Sequence, residues 1–205
     1  MSLEALRQVL ASDYKGPRAV FSEVHVLRAI RALGSQGSVG RGRLGELVGL
    51  GQGEVRTLIK RLKEKDLILI QPDGCRLSKK GEIEYGALRR KIPWESKVRA
   101  KTLGIGERNA AVLVRDAAPR LKRGIEQRDA AVRVGAQGAL TALYSGSHFT
   151  LPGERNDSEK SGPHDLWAAA RAAGPKRNDV LVVVGADSDE TAELGALAAA
   201  LTLLD

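Results

Sequence analysis

The chain is nearly free of cysteine and poor in rings. Cys75 is the one cysteine in 205 residues, which excludes an internal disulfide and a cysteine-built structural zinc site. Two Trp, three Tyr and two Phe are too few for the stacking platforms that grip single-stranded nucleic acid. No apolar run approaches the roughly 20 residues needed to span a bilayer, and no signal-type apolar stretch follows Met1. A soluble, cytoplasmic protein without a membrane partner is expected. Hydrophobic residues make up 42 % of the chain, the proportion of an ordinary globular protein. The length suits one large domain or two small ones.

What the sequence does have is positive charge, unevenly placed. Residues 1–101 hold 21 Lys and Arg against 11 Asp and Glu, a net +10, and the remainder holds 12 against 14, a net −2. One half is thus suited to a polyanion and the other to a different task. The division predicts two domains, residues 1–95 and 96–205.

In the first half a short amphipathic start (Leu3, Leu6, Val9, Leu10) leads to a turn at Lys15–Arg18. A helix is predicted from Ser22, its N-cap, to Leu33, with Val26, Leu27, Ile30 and Leu33 on one face and Gly34 ending it. Leu44, Leu47 and Val48 mark a second, short helix. Gly49-Leu50-Gly51 then separates it from a third, with Val55, Leu58, Ile59 and Leu62 at i, i+3, i+4 and i+7. This is the spacing of a helix-turn-helix, with Gly49 at the turn and Gly45 where the helices come closest. Leu67–Ile70 and Cys75–Leu77 read as two strands around Pro72-Asp73-Gly74, a hairpin wing, and Ser78 as the N-cap of a helix to about Lys91. A winged helix-turn-helix is expected, with the third helix as the reading element in double-stranded DNA. Its candidate contacts are Gln52, Arg56, Thr57, Lys60 and Arg61, with Arg76 on the wing. A basic helix face is by itself usually only a solvated face; the turn glycine, the wing and the local charge together favour nucleic acid. Cys75 reads as a strand residue packed on the helix, not as a redox sensor.

In the second half, Pro93 disfavours helix at Ile92. Strands are predicted at Val98–Leu103, Ala110–Arg115, Ala139–Tyr144, His148–Leu151 and Asp179–Gly185. Helices are predicted at Pro119–Val134, Leu166–Ala173 and Thr191–Leu204, the last with Leu194, Leu197, Leu201 and Leu204 inward. Residues 153–163 read as a polar loop. A hairpin interrupts the alternation of strands and helices, so the expected class is α+β, a small two-layer sandwich with a mixed or antiparallel sheet.

Chemistry is sparse. His25, His148 and His164 have no partner at metal-ligand spacing, so no metal is expected. Ser145-Gly-Ser-His lacks the nucleophile-elbow pattern. Gly51-Gln-Gly53 and Gly104-Ile-Gly106 are glycine fragments without the rest of a phosphate loop. Asp187 and Glu190 read as a capping box at the start of the last helix. No cofactor and no catalytic activity are expected. Gln127-Arg128-Asp129 stands apart. If Leu121, Ile125 and Val132 mark the buried stripe, Arg128 lies on or beside it. It then needs an internal ion pair, or it serves an anion or subunit contact.

Three segments, LGQGEVRTLIKRL with CRLSKKGE, GIEQRDAAVRVGAQGALTALY and DVLVVVGADSDETAELGALAAALTLL, resemble an archaeal family of winged-helix proteins. Its members carry a C-terminal α+β domain of unknown function. The resemblance covers nearly the whole chain and implies a transcription regulator. It also implies a C-terminal domain similar to an insert of bacterial aspartyl-tRNA synthetase. That domain is expected to serve dimerisation or to sense an unknown small-molecule effector. A homodimer on two DNA half-sites is one reading, with the leucine-lined last helix as a candidate surface. An RNA- or translation-associated binding module without catalytic activity is the alternative.

Overall fold

The computed structural model describes residues 3–11, 21–154, 157–160 and 162–204. The turn expected at Lys15–Arg18 lies outside them, as do residues 155, 156 and 161 of the polar loop. The chain divides into two compact units, residues 1–89 and 90–204.

In the first unit α1 (Leu3–Leu10) is followed by α2 (Glu23–Gln36), α3 (Arg41–Val48) and α4 (Gln52–Glu64). The hairpin β1 (Ile68–Gln71) and β2 (Gly74–Leu77) and then α5 (Lys79–Lys91) complete it. The stripes read from the sequence are buried apart from Leu47 of α3, which is half-buried: Val26, Leu27, Ile30 and Leu33 on α2, Leu44 and Val48 on α3, Val55, Leu58, Ile59 and Leu62 on α4. Helix α2 runs one turn beyond the expected stop at Gly34 and is closed by Gly37, whose N–H bonds Leu33 O at 3.0 Å. Gly34 serves packing instead: a Cβ there would sit 2.4 Å from the Tyr85 ring of α5. Gly49 ends α3 in the left-handed region at φ +73°, a conformation that glycine adopts without steric cost.

Ser22 caps α2, and the third helical residue reaches back to it: the Ser22 N–H donates to His25 Nδ1 at 3.2 Å. Only a neutral ring accepts that bond. Burial holds the His25 pKa below its ordinary value of 6.5, with Arg28 acting in the same direction and Glu54 opposing. A depressed folded pKa means the imidazole's contribution is whole above the unfolded value and is lost as pH falls through the folded one. Thermal unfolding of the first unit, followed by far-ultraviolet dichroism, should therefore shift to lower temperature as pH falls from about 7 towards 5. The variant His25→Gln keeps an acceptor at the same helical position but does not titrate, so this part of the pH dependence should vanish in it.

The second unit holds β3 (Trp94–Val98), β4 (Arg108–Val114), α6 (Ile125–Arg133), β5 (Gly138–Tyr144), β6 (Phe149–Thr150), α7 (His164–Ala172), β7 (Val180–Ala186) and α8 (Asp189–Leu201). Its five strands lie in the order β3-β4-β7-β5-β6, and every neighbouring pair is antiparallel. The first strand starts at Trp94, not Val98. Its apolar Trp94 and Val98 alternate with Glu95 and Lys97, and Lys101–Leu103, expected as strand, is a short 3-10 turn. The helix expected from Pro119 is broken by Gly124 at φ +82° and begins only at Ile125.

Successive strand residues face opposite sides of a sheet. Leu113, Leu181 and Val183 share a core with Phe149 of β6 and with Leu166, Trp167 and Ala170 of α7. On the other side α8 presses so close that a Cβ at Gly195 would come within 2.8 Å of Val184 Cγ1 and 3.5 Å of the Ala131 methyl of α6. Helices thus lie on both faces, three layers where the sequence predicted two. The cap of α8 also differs from the expected Asp187–Glu190 box. Ser188 is the N-cap and accepts from Thr191 N–H at 3.1 Å, while Asp187 accepts from Gln137 Nε2 at 2.5 Å.

Candidate nucleic-acid interface

Helix α4 begins where Gly51 N–H bonds Glu54 Oε2 at 2.9 Å, a side-chain acceptor for one of the donors every helix start leaves open. Gln52, Arg56, Thr57 and Lys60 all stand exposed along its first two and a half turns. Thr57 Oγ1 donates to Gly53 O at 3.1 Å, which leaves the hydroxyl oxygen able to accept. Lys60 Nζ lies 3.9 Å from Glu64, a solvated pair one helical turn apart that holds the ammonium only weakly.

The hairpin leans towards this helix. Val39 bridges to Cys75, with N–H to O distances of 2.8 and 2.9 Å in the two directions, so the segment ahead of α3 forms a one-residue third strand beside β2. Between α4 and the hairpin is a cleft of about 560 Å³. Its walls carry Arg41 from the start of α3 and Arg56, Lys60 and Lys63 from α4, facing Ile70, Gln71 and Asp73 of the hairpin. Four cations on the walls of one cleft concentrate positive potential there. Cys75 lines the floor, and burial pushes its thiol pKa up, away from the thiolate that redox sensing needs.

Two expected contacts lie elsewhere. Arg61, expected on the solvent face, is 8 % exposed. Its Nη1 donates to Leu10 O at 2.7 Å, and the guanidinium sits 5.4 Å from the Phe21 ring centroid. The last carbonyls of α1 have no partner within their own helix, and Arg61 supplies one. Arg76 is exposed but stands opposite Leu69 in the register, whereas the cleft is lined from the Ile70–Cys75 pair. Arg76 therefore points from the other face of the hairpin. Arg41 and Lys63 are the cleft cations that the sequence reading passed over. Lys63 was findable, because Arg56, Lys60 and Lys63 fall at i, i+4 and i+7 on one helical face.

In the second unit Gln127, Arg128 and Asp129 do not act together. Gln127 is 1 % exposed, and its Nε2 donates to Thr202 Oγ1 at 2.6 Å, tying α6 to the end of α8. Arg128 and Asp129 point to solvent, 4.0 Å apart. The buried stripe expected through Ile125 and Val132 is reversed: both are exposed, and Gln127 and Ala131 face inward. The last helix, expected as a dimer surface, is buried at every position from Gly195 to Leu201 and has no free face along that stretch. The fragment at Gly104–Gly106 is explained by packing, since a Cβ on Gly106 would lie 2.5 Å from Ala186 N. Among the described residues no three His, Cys, Asp or Glu side chains gather in a way that could hold a metal, and no helix is long and apolar enough to cross a membrane.

Residues 105–203 match the family model described as Domain of unknown function (DUF4443). Residues 35–83 match the one described as PH0730-like, N-terminal domain. No curated protein matches the chain. Among solved structures it is similar to "Hypothetical protein PH0730 from Pyrococcus horikoshii OT3", with a TM-score of 0.70 and 23 % identity over 88 % of this chain and 91 % of that one. At that identity the likeness speaks for the fold alone.

Proposed function

We propose that residues 1–89 form a winged helix that binds double-stranded DNA, and that the chain is a DNA-binding transcription regulator. In this reading α4 enters the major groove by its N-terminal half, where Gln52, Arg56 and Thr57 can reach base edges. The β1–β2 hairpin lies along the neighbouring backbone. The observation that carries the reading is the cleft between the two, where Arg41, Arg56, Lys60 and Lys63 line the walls. Phosphates attract such a set irrespective of sequence, and the exposed polar side chains at the start of α4 supply the discrimination. The net +10 of residues 1–101 supports the same partner.

The test is retention of fragmented genomic duplex by the full chain, sequenced at low and at near-physiological salt. Enrichment of a shared motif that survives the higher salt is the expected result. Capture without enrichment, lost steeply with salt, would reduce the reading to phosphate attraction alone. Stronger binding of structured RNA than of duplex at equal salt would replace it with the RNA-binding alternative.

A further inference from the structure

We infer that the exposed face of α6 is a self-complementary contact through which two copies of this chain pair antiparallel about a two-fold axis. Among the described residues of the second unit, only two large apolar side chains are exposed, Ile125 at 52 % and Val132 at 43 %. They are seven residues apart, so they share one side of the helix. Single exposed apolar residues are ordinary; two on one helical side, in a unit whose other described large apolar residues are all buried or half-buried, form a stripe.

Between them on the same side stand Arg128 and Asp129, with 60 % and 51 % of their side chains exposed. Adjacent helical residues do not face one another, so the pair, 4.0 Å apart within one helix, remains open to other partners. The arrangement has a particular symmetry. Ile125 and Val132 are equidistant from the bond joining 128 to 129. A two-fold axis through that bond sets Ile125 against the partner's Val132, and Arg128 against the partner's Asp129, twice over. The apolar pair and the ion pair thus share one centre, and a second copy satisfies both at once. This is the condition for an isologous interface. Glu126 and Arg133, also exposed, flank the stripe as a polar rim.

A helix of nine residues is about 13 Å long, so the contact falls short of a standard interface of roughly 1,600 Å². The dimer is accordingly weak and concentration-dependent. It stands apart from the DNA-binding reading, since no residue of the first unit takes part.

Sedimentation equilibrium of the full chain from about 5 to 500 µM, a range that brackets weak association, tests it. Expected are a monomer–dimer equilibrium in the wild type and a monomer for Ile125→Ser/Val132→Ser, with unchanged circular dichroism in both. Arg128→Asp alone and Asp129→Arg alone each set like charges across the axis and should weaken the dimer about tenfold. The double exchange Arg128→Asp/Asp129→Arg restores opposite charges and should recover most of the affinity. A wild-type chain that stays monomeric throughout overturns the inference. So does a dimer indifferent to the Ile125/Val132 pair, or a double exchange as weak as the single ones.

Discussion

Replacing Arg56 and Lys60 together by glutamate should weaken duplex binding at least about 100-fold at ~0.1 M salt and lower the dependence of log affinity on log salt by about two or more. Both side chains are exposed on α4 and line the same cleft. Reversing them replaces two attractions for phosphate with two repulsions while leaving the core untouched. The change removes the exposed Lys60–Glu64 pair at 3.9 Å, worth a few tenths of a kcal/mol, so the variant should keep its circular dichroism and melting temperature. Arg61→Gln gives the opposite pattern. It sits one residue along the same helix, but its guanidinium is engaged with Leu10 O, so the first unit should lose stability and the salt dependence should stay as it was. Equal loss of affinity in both would mean that general charge, not the cleft, holds the duplex. Unchanged affinity of the double variant would remove α4 from the proposed interface.

The second large effect concerns stability. Asp179, 1 % exposed, closes the entry to β7. Its carboxylate accepts from Arg115 Nη1, from Asp116 N–H at 3.0 Å and from Lys176 N–H at 2.6 Å, so it ties the turn after β4 to the turn before β7. In Asp179→Ala the Asp116 and Lys176 N–H groups lose this acceptor in a buried setting, and Arg115 loses its carboxylate while keeping its bond to Gly174 O at 2.9 Å. Breaking a buried pair from one side costs about 3–5 kcal/mol. Arg115 keeps 23 % of its side chain in water, which places the expected loss near the lower end, about 3 kcal/mol. Both tryptophans, Trp94 and Trp167, belong to the second unit. Tryptophan fluorescence during urea unfolding therefore reports this loss without interference from the first unit, whose transition should not move. A midpoint shift of less than about 1 kcal/mol equivalent would mean that water replaces the carboxylate.

The first unit was largely legible because its signals are local. Helical spacing located the buried faces of α2, α3 and α4, and Pro72-Asp73-Gly74 located the hairpin turn. Where reading failed, a tertiary contact had overridden a local rule. Gly34 looks like a helix stop and is instead a seat for Tyr85. Arg61 looks like a surface cation and is consumed by the end of α1, more than 50 positions earlier in the chain. In the second unit the layer count was open to correction from sequence alone. All seven residues of β7, Val180–Ala186, are buried, and an unbroken apolar run is the mark of a strand covered on both faces. The face of α6 was not open to it. Its four apolar residues, Ile125, Ala130, Ala131 and Val132, do not make one clean stripe, and only the small Ala131 and the polar Gln127 pack inward.

The position of β7 bears on how the protein is made. The strand next to last in the chain's run of elements is the middle of the sheet, hydrogen-bonded to β4 on one side and β5 on the other. While a ribosome is still extending the chain, β4 and β5 each present an apolar edge with no neighbour, and they stay so until Val180–Ala186 has emerged. The first unit has every one of its elements by then and can fold as it leaves the tunnel. A nascent chain stalled before β7 would therefore carry a finished N-terminal unit joined to an adhesive, half-built sheet. That intermediate is the one a chaperone would have to guard.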